Sequence, residues 1–322
     1  MQLLTFQPIL KHALWGGRRL HTVLGKGLPA GDDFAESWEV ADLPNDITVV
    51  SRCSLTGRTL RELMQSHPRE LLGSQADRDR FPLLIKFLDA QRRLSVQVHP
   101  SKAMAASRPE VTTGKAETWV IIDAVPGSQV YAGLKPGVDR ATLLEAIKAH
   151  KTEQCLHSYE VQPGDCVSLL PGTVHALGEG ILLAEIQEPN NVTYRLCDWG
   201  RVDAQGKPRE LHLDLALAAT NFGFGPVDKV VPQQVAGENG HEILVESEHF
   251  HVHRHQGSAE WTLPDDDRMH VLICVQGHTE VQIPGDQCPL RMGETLVVPA
   301  RRREAMIVGT GDAIVLDAFL GG

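Results

Sequence analysis

Residues 164–175 can be laid over residues 293–304 without a gap, and this internal echo constrains the fold more than any other feature of the chain. Each copy starts with a glycine and an acidic residue, then runs through four residues of strand character. In this register His175 meets Glu304, and Glu117, heading an apolar strand, meets His270, heading another. Short strand-like runs recur at 250–255, 269–275, 279–283, 294–298, 305–308 and 313–319, separated by Gly and Pro. The expectation is a mainly β protein of two related barrels, the second lacking the polar set of the first. A turn-rich stretch past Asn221 places the boundary near 238, giving units of 1–238 and 239–322.

Two helical excursions are expected in the first unit. Residues 59–72 carry Leu60, Leu63 and Met64 on one stripe, and Thr59 and Glu62 have the spacing of a capping box. Residues 139–157 place Leu143, Leu144, Ile147 and Leu156 at helical spacing behind Asp139 as N-cap. The run 81–88 is short and apolar, a buried strand broken by Lys86. That ammonium must snorkel to the surface or meet an anion, because burying it unpaired is costly.

The chemistry concentrates in residues 94–100. Alternation puts Gln97 and His99 on one face, an amide oxygen and an imidazole nitrogen two residues apart. Glu117 heads a later strand and His175 follows the Pro171-Gly172 turn. A barrel can bring these strand positions together as two nitrogens and two oxygens, a set that holds Zn²⁺ with an open position. Fe, Mn, Co and Ni suit the same donors. One carboxylate against a divalent ion leaves net positive charge, which suits a Lewis acid acting on sugar or carbonyl oxygens. The run 249–255 has histidines at alternate positions, His249, His251, His253 and His255. With no carboxylate clearly placed beside them, they read as a solvated strand face.

Charge and composition narrow the function. A formal net charge of -10 and a sequence pI near 5.8 argue against nucleic acid as a partner. Six scattered cysteines without a CxxC pair form neither a disulfide framework nor a thiolate metal site. Neither a signal-peptide pattern nor a membrane-length apolar run occurs, so a cytoplasmic protein without a membrane partner is expected.

Read together, Lys86 in its strand, residues 95–100, 114–119 and 172–177, Glu185 to Gln187 and Thr193 to Arg195 resemble the signature of the type I mannose-6-phosphate isomerases, in their compact bacterial form. The resemblance runs in order from Trp15 to Arg201; the last third is similar only as a degenerate barrel. It implies two cupin (double-stranded β-helix, or jelly-roll) barrels and a zinc-dependent aldose-ketose isomerase acting on a small-molecule sugar phosphate, mannose 6-phosphate or fructose 6-phosphate. It carries metal ligation onto Gln97, His99, Glu117 and His175, and an active-site role onto Arg195. Ser101 and Ala116 depart from the usual Asp and Thr, and neither is a ligand position.

Lys115 shares a strand face with Glu117 and is a candidate base, with Glu185 and Asp198 as other proton carriers. Without a Gly-rich loop, basic side chains must hold the phosphate: Lys86 and Arg195 first, then Arg201. Lys86, Glu185 and Asp198 are therefore expected at the substrate. The rival functions are a non-catalytic sugar-phosphate-binding cupin and an iron-dependent oxygenase on the same barrel. Intact Lys115 and Arg195 favour the isomerase.

Overall fold

The computed structural model describes residues 1–322 apart from 109, 110, 112, 204, 303 and 322. Arg303, which the echo pairs with Val174, lies outside the described residues.

Two sandwiches of antiparallel sheets repeat one strand order. In the first, a six-stranded sheet runs Cys166–Leu169, Glu117–Ala124, Ile181–Gln187, Leu84–Ala90, Phe34–Val40, Ile9–Gly17. Its partner sheet runs Leu156–Glu160, Gln129–Leu134, His175–Leu177, Val96–Val98, Tyr194–Cys197. In the second, the six-stranded sheet runs Thr295–Val298, His270–Gln276, Ile314–Phe319, His251–Gln256, His241–Glu246, Gln233–Gln234, position for position. Its partner runs Asp286–Arg291, His278–Ile283, Ala305–Gly309, Glu260–Leu263.

The echo is a register identity. Leu169 pairs with Glu117 in the first sheet, and Val298 with His270 in the second. Glu185 pairs with Lys86, and its counterpart Asp317 pairs with His253.

Alternation along the strands divides the cores. Trp119, Ile121, Leu88, Val130 and Leu177 fill the first barrel, and Trp261, Leu272, Cys274 and Val315 the second. On the opposite faces, Ile85, Phe87, Val120 and Ile186 of one six-stranded sheet join Val252, Val271 and Leu316 of the other in a single cluster. The helices Leu60–Ser66 and Pro68–Leu72 close that cluster with Leu60, Leu63, Leu71 and Leu72. Each barrel therefore turns one apolar face to its twin and keeps its polar residues inside.

The helical readings hold in part. Thr59 and Glu62 form the full capping box, and Pro68 starts a second short helix. The second helix is shorter than expected, Arg140–Lys148, capped by Asp139 and ended by His150 at φ 56°. Leu156 belongs to a strand, opposite Leu134.

At the position of Glu117, the second barrel holds a closed ion pair. His270 Nδ1 lies 2.9 Å from Asp317, and Nε2 lies 3.6 Å from Asp266. Burial disfavours the imidazolium, but Asp317 and Asp266 outweigh it and hold the His270 pKa above its ordinary value. Its stabilisation is complete below the unfolded value of about 6.5 and is lost as pH rises through the higher folded value. The melting-temperature gap between the protein and His270→Gln is thus largest in weak acid and shrinks above neutrality. A gap that widens with rising pH contradicts this ion pair.

Candidate metal centre and substrate cavity

The segments of Gln97, His175 and Arg195 meet because the five-stranded sheet sets their register. His175 lies directly opposite Gln97, and Arg195 pairs with Gln97 from the other side, so the three form a row across the sheet. His99 follows the strand of Gln97, and its carbonyl accepts a bond from Gly172 N at 2.9 Å, in the turn just before His175. Gly172 has φ 95°, and a Cβ there would stand 3.2 Å from the Ala219 carbonyl, so the turn needs glycine. Glu117 reaches in from the facing sheet.

The donor atoms converge. Glu117 Oε2 is 3.2 Å from His99 Nε2, and Glu117 Oε1 is 3.2 Å from His175 Nε2. The Gln97 amide lies 3.3 Å from His175 Nε2; its oxygen and nitrogen are interchangeable in shape, so the oxygen can face inward. Adjacent ligands on an ion with bonds of about 2.0–2.1 Å stand roughly 3 Å apart, the spacing found here.

The tautomers decide what this cluster wants. His99 Nδ1 donates to the Val192 carbonyl at 3.0 Å, and His175 Nδ1 to the Thr173 carbonyl at 2.9 Å. In the neutral rings both Nε2 atoms then carry lone pairs, aimed at a carboxylate that can only accept. Burial above all, then the Lys115 ammonium, pushes His99 down to about 3; burial lowers His175 too. Both rings stay neutral. Glu117 Oε1 is buried without a hydrogen-bond partner among the described residues. A buried ring of acceptors requires a cation, and this donor set fits a divalent transition metal. Lys115 Nζ supplies positive charge on one side, donating at 2.8 Å to both His99 Nε2 and Glu117 Oε2. Burial opposes the Glu117 carboxylate, yet the Lys115 ammonium beside it holds it well below the usual carboxylate range.

Beside these residues opens a cavity of about 340 Å³, lined by Lys86, Gln97, Lys115, Trp119, Glu185, Arg195 and Arg209 among others. That volume suits a small-molecule ligand. Lys86 does not snorkel. It is buried, 3.2 Å from Glu185 and 3.4 Å from Glu36. Burial works against its charge, but these carboxylates outweigh burial and raise its pKa. Burial raises Glu185, whose Oε2 accepts from Trp119 Nε1 at 3.1 Å.

Arg195 is anchored by Ser95 Oγ at 3.2 Å and the Glu210 carbonyl at 2.8 Å, with its guanidinium at the cavity wall. Asp198 is absent from that wall. It binds Arg201 and, at 2.7 Å, Arg209 Nε, so it positions Arg209 rather than facing a ligand. Arg201 is also turned away, toward the Arg93 carbonyl. Arg209 and Glu36 complete the cavity and escaped the sequence reading. Each is a lone charged residue with no periodic or motif signal, and only the register across strands brings Glu36 to Lys86.

Two family models match: phosphomannose isomerase type I, catalytic domain, over residues 3–117, and mannose-6-phosphate isomerase, cupin domain, over residues 241–317. Mannose-6-phosphate isomerase ManA of Bacillus subtilis is 33% identical over 313 residues, 97% of this chain and 98% of the relative. Mannose-6-phosphate isomerase of Streptococcus mutans is 31% identical over 92% of each chain. The crystal structure of the Bacillus subtilis mannose 6-phosphate isomerase superposes with a TM-score of 0.90 at 28% identity, covering 99% of each chain. With that extent of identity and a common fold, the chain belongs to the mannose-6-phosphate isomerase family.

Proposed function

We propose that the first barrel interconverts mannose 6-phosphate and fructose 6-phosphate, with zinc held by Gln97, His99, Glu117 and His175. The observation that carries the reading is the buried ring of lone pairs around Glu117, opening onto a cavity walled by cations. The names of the full-length relatives point to the same reaction. Two imidazoles, a carboxylate and an amide oxygen are donors that suit zinc among the divalent ions.

Moving the carbonyl from C1 to C2 takes a proton from C2, returns one to C1, and shifts the O2 proton to O1. The enediol between them gathers negative charge on both oxygens. A divalent ion supplies Lewis-acid stabilisation of that charge.

The remaining work falls to the protein's own groups. Lys115 Nζ, on the cavity wall, takes the C2 proton and returns it to C1. Glu185, whose carboxyl burial pushes above its ordinary range, is the second group able to carry a proton on that wall. Arg195 and Arg209 take the phosphate, since guanidinium forks match phosphate oxygens and Asp198 holds Arg209 in place. Lys86 serves the phosphate less well, because Glu36 and Glu185 already neutralise it. It positions Glu185 instead.

A coupled assay tests the reading. Mannose 6-phosphate is converted to fructose 6-phosphate, the rate vanishes after chelation, and Zn²⁺ restores it. Turnover that survives exhaustive chelation, or none after metal loading, contradicts it.

A further inference from the structure

The strand His251–Gln256 is not a solvated face. His255 is buried against Trp261, with ring centroids 5.4 Å apart, and His251 and His253 are half-buried against Phe319. Carboxylates also stand beside them, brought by other segments. Glu246 pairs with His251 in register, and Glu238 precedes the strand of His241.

A chain of hydrogen bonds fixes the tautomer of His253. His241 Nδ1 lies 2.6 Å from Glu238 Oε2, and a carboxylate can only accept, so Nδ1 carries the proton. In the neutral ring His241 Nε2 then holds a lone pair. Its neighbour at 2.9 Å is His253 Nδ1, which must therefore be the donor. That leaves the lone pair of His253 on Nε2, an atom buried without a hydrogen-bond partner among the described residues. A carboxylate–imidazole chain behind a ring, with the far nitrogen left bare, is the arrangement that orients a metal-ligating histidine.

His253 also belongs to a cluster of side chains with metal-ligating atoms. One ligand atom each from Glu246, His251 and His253 lie within 4.8 Å of one another. His251 Nδ1 and Glu246 Oε1 are 4.0 Å apart, too far for a hydrogen bond and about twice the length of a metal–ligand bond of roughly 2.0–2.1 Å. Phe319 steadies both rings: His251 stacks on it at 5.2 Å and 14°, and His253 meets it edge-on at 5.0 Å. This is not a remnant of the first centre, whose Glu117 position is taken by His270 in its closed ion pair.

We propose that Glu246, His251 and His253 form a second metal site, which takes a borderline divalent cation such as Zn²⁺, Co²⁺ or Ni²⁺ and ties the strands His241–Glu246 and His251–Gln256 together. Two imidazoles and one carboxylate match that class of ion, and the exposed side of Glu246 leaves positions for water. The site uses none of the residues assigned to isomerisation and stands independently of that reading.

Equilibrium dialysis of the full chain against Co²⁺, followed by elemental analysis, tests the proposal. The unaltered protein takes up two ions per chain. His253→Ala and Glu246→Gln each take up one and keep the isomerase rate. Glu117→Ala also takes up one, at the other site. Glu238→Gln leaves all three ligands in place but releases the tautomer, so Co²⁺ affinity at this site falls about 10–100-fold. A single ion in the unaltered protein, lost in Glu117→Ala and kept in His253→Ala and Glu246→Gln, overturns the proposal. So does a second ion whose affinity is the same in Glu246→Gln and in His253→Ala as in the parent; should His253→Ala fail to fold, Glu246→Gln alone decides.

Discussion

Glu117→Ala empties the first metal centre and lowers kcat/KM by at least about 10³-fold, since even one lost group facing developing charge costs 10²–10³-fold. Among the described residues, the carboxylate is the only anion touching both His99 and His175, at 3.2 Å each. Without it, two neutral imidazoles and an amide remain, and the nearby Lys115 ammonium repels any divalent ion. Metal content and turnover should therefore fall together, which elemental analysis and the coupled assay measure side by side. Full activity in protein that has lost its first-barrel metal would detach the ion from the chemistry.

Lys115→Met separates metal binding from proton transfer. The thioether approximates the lysine stem in length and apolar character but carries no proton, so exchange of the C2 hydrogen with solvent falls by about 10²–10⁴-fold. Metal content stays intact, because removing a cation 2.8 Å from His99 Nε2 and Glu117 Oε2 favours a second cation there. The check is proton exchange followed by NMR in deuterated buffer, with zinc measured on the same sample. Persistent exchange in this variant transfers the base role to Glu185, and Glu185→Gln then becomes the variant that loses it.

Much of the fold can be read from local pattern. Glycine-bounded runs of alternating residues mark most strands, and the echo between 164–175 and 293–304 is legible because paired strands of equal register need similar residues at similar positions. The candidate ligand segments are legible for a related reason: Glu117 and His175 start their strands, Gln97 lies within Val96–Val98 and His99 just past it, each an unusual polar residue against apolar neighbours.

What escapes is set by contacts between distant segments. Lys86 looks like a snorkelling lysine until Glu36 and Glu185 arrive from the strands on either side. The histidines of His251–Gln256 look solvated for the same reason, as Glu246 and Glu238 come from outside the run. Asp198 and Arg209 lie on separate stretches near the cavity mouth, and no periodicity tells which charged residue faces the ligand and which braces it. The helix from Asp139 ends early because His150 turns left-handed and Leu156 finds a strand partner in Leu134, a long-range pairing that outweighs local helical spacing.

The most direct measurement is anomalous diffraction at the zinc edge from crystals of protein with full isomerase activity. The account predicts a peak in the first barrel with His99 Nε2, His175 Nε2, a Glu117 oxygen and the Gln97 oxygen at about 2.0–2.2 Å. Fully active crystals with no metal peak between those four side chains would contradict it.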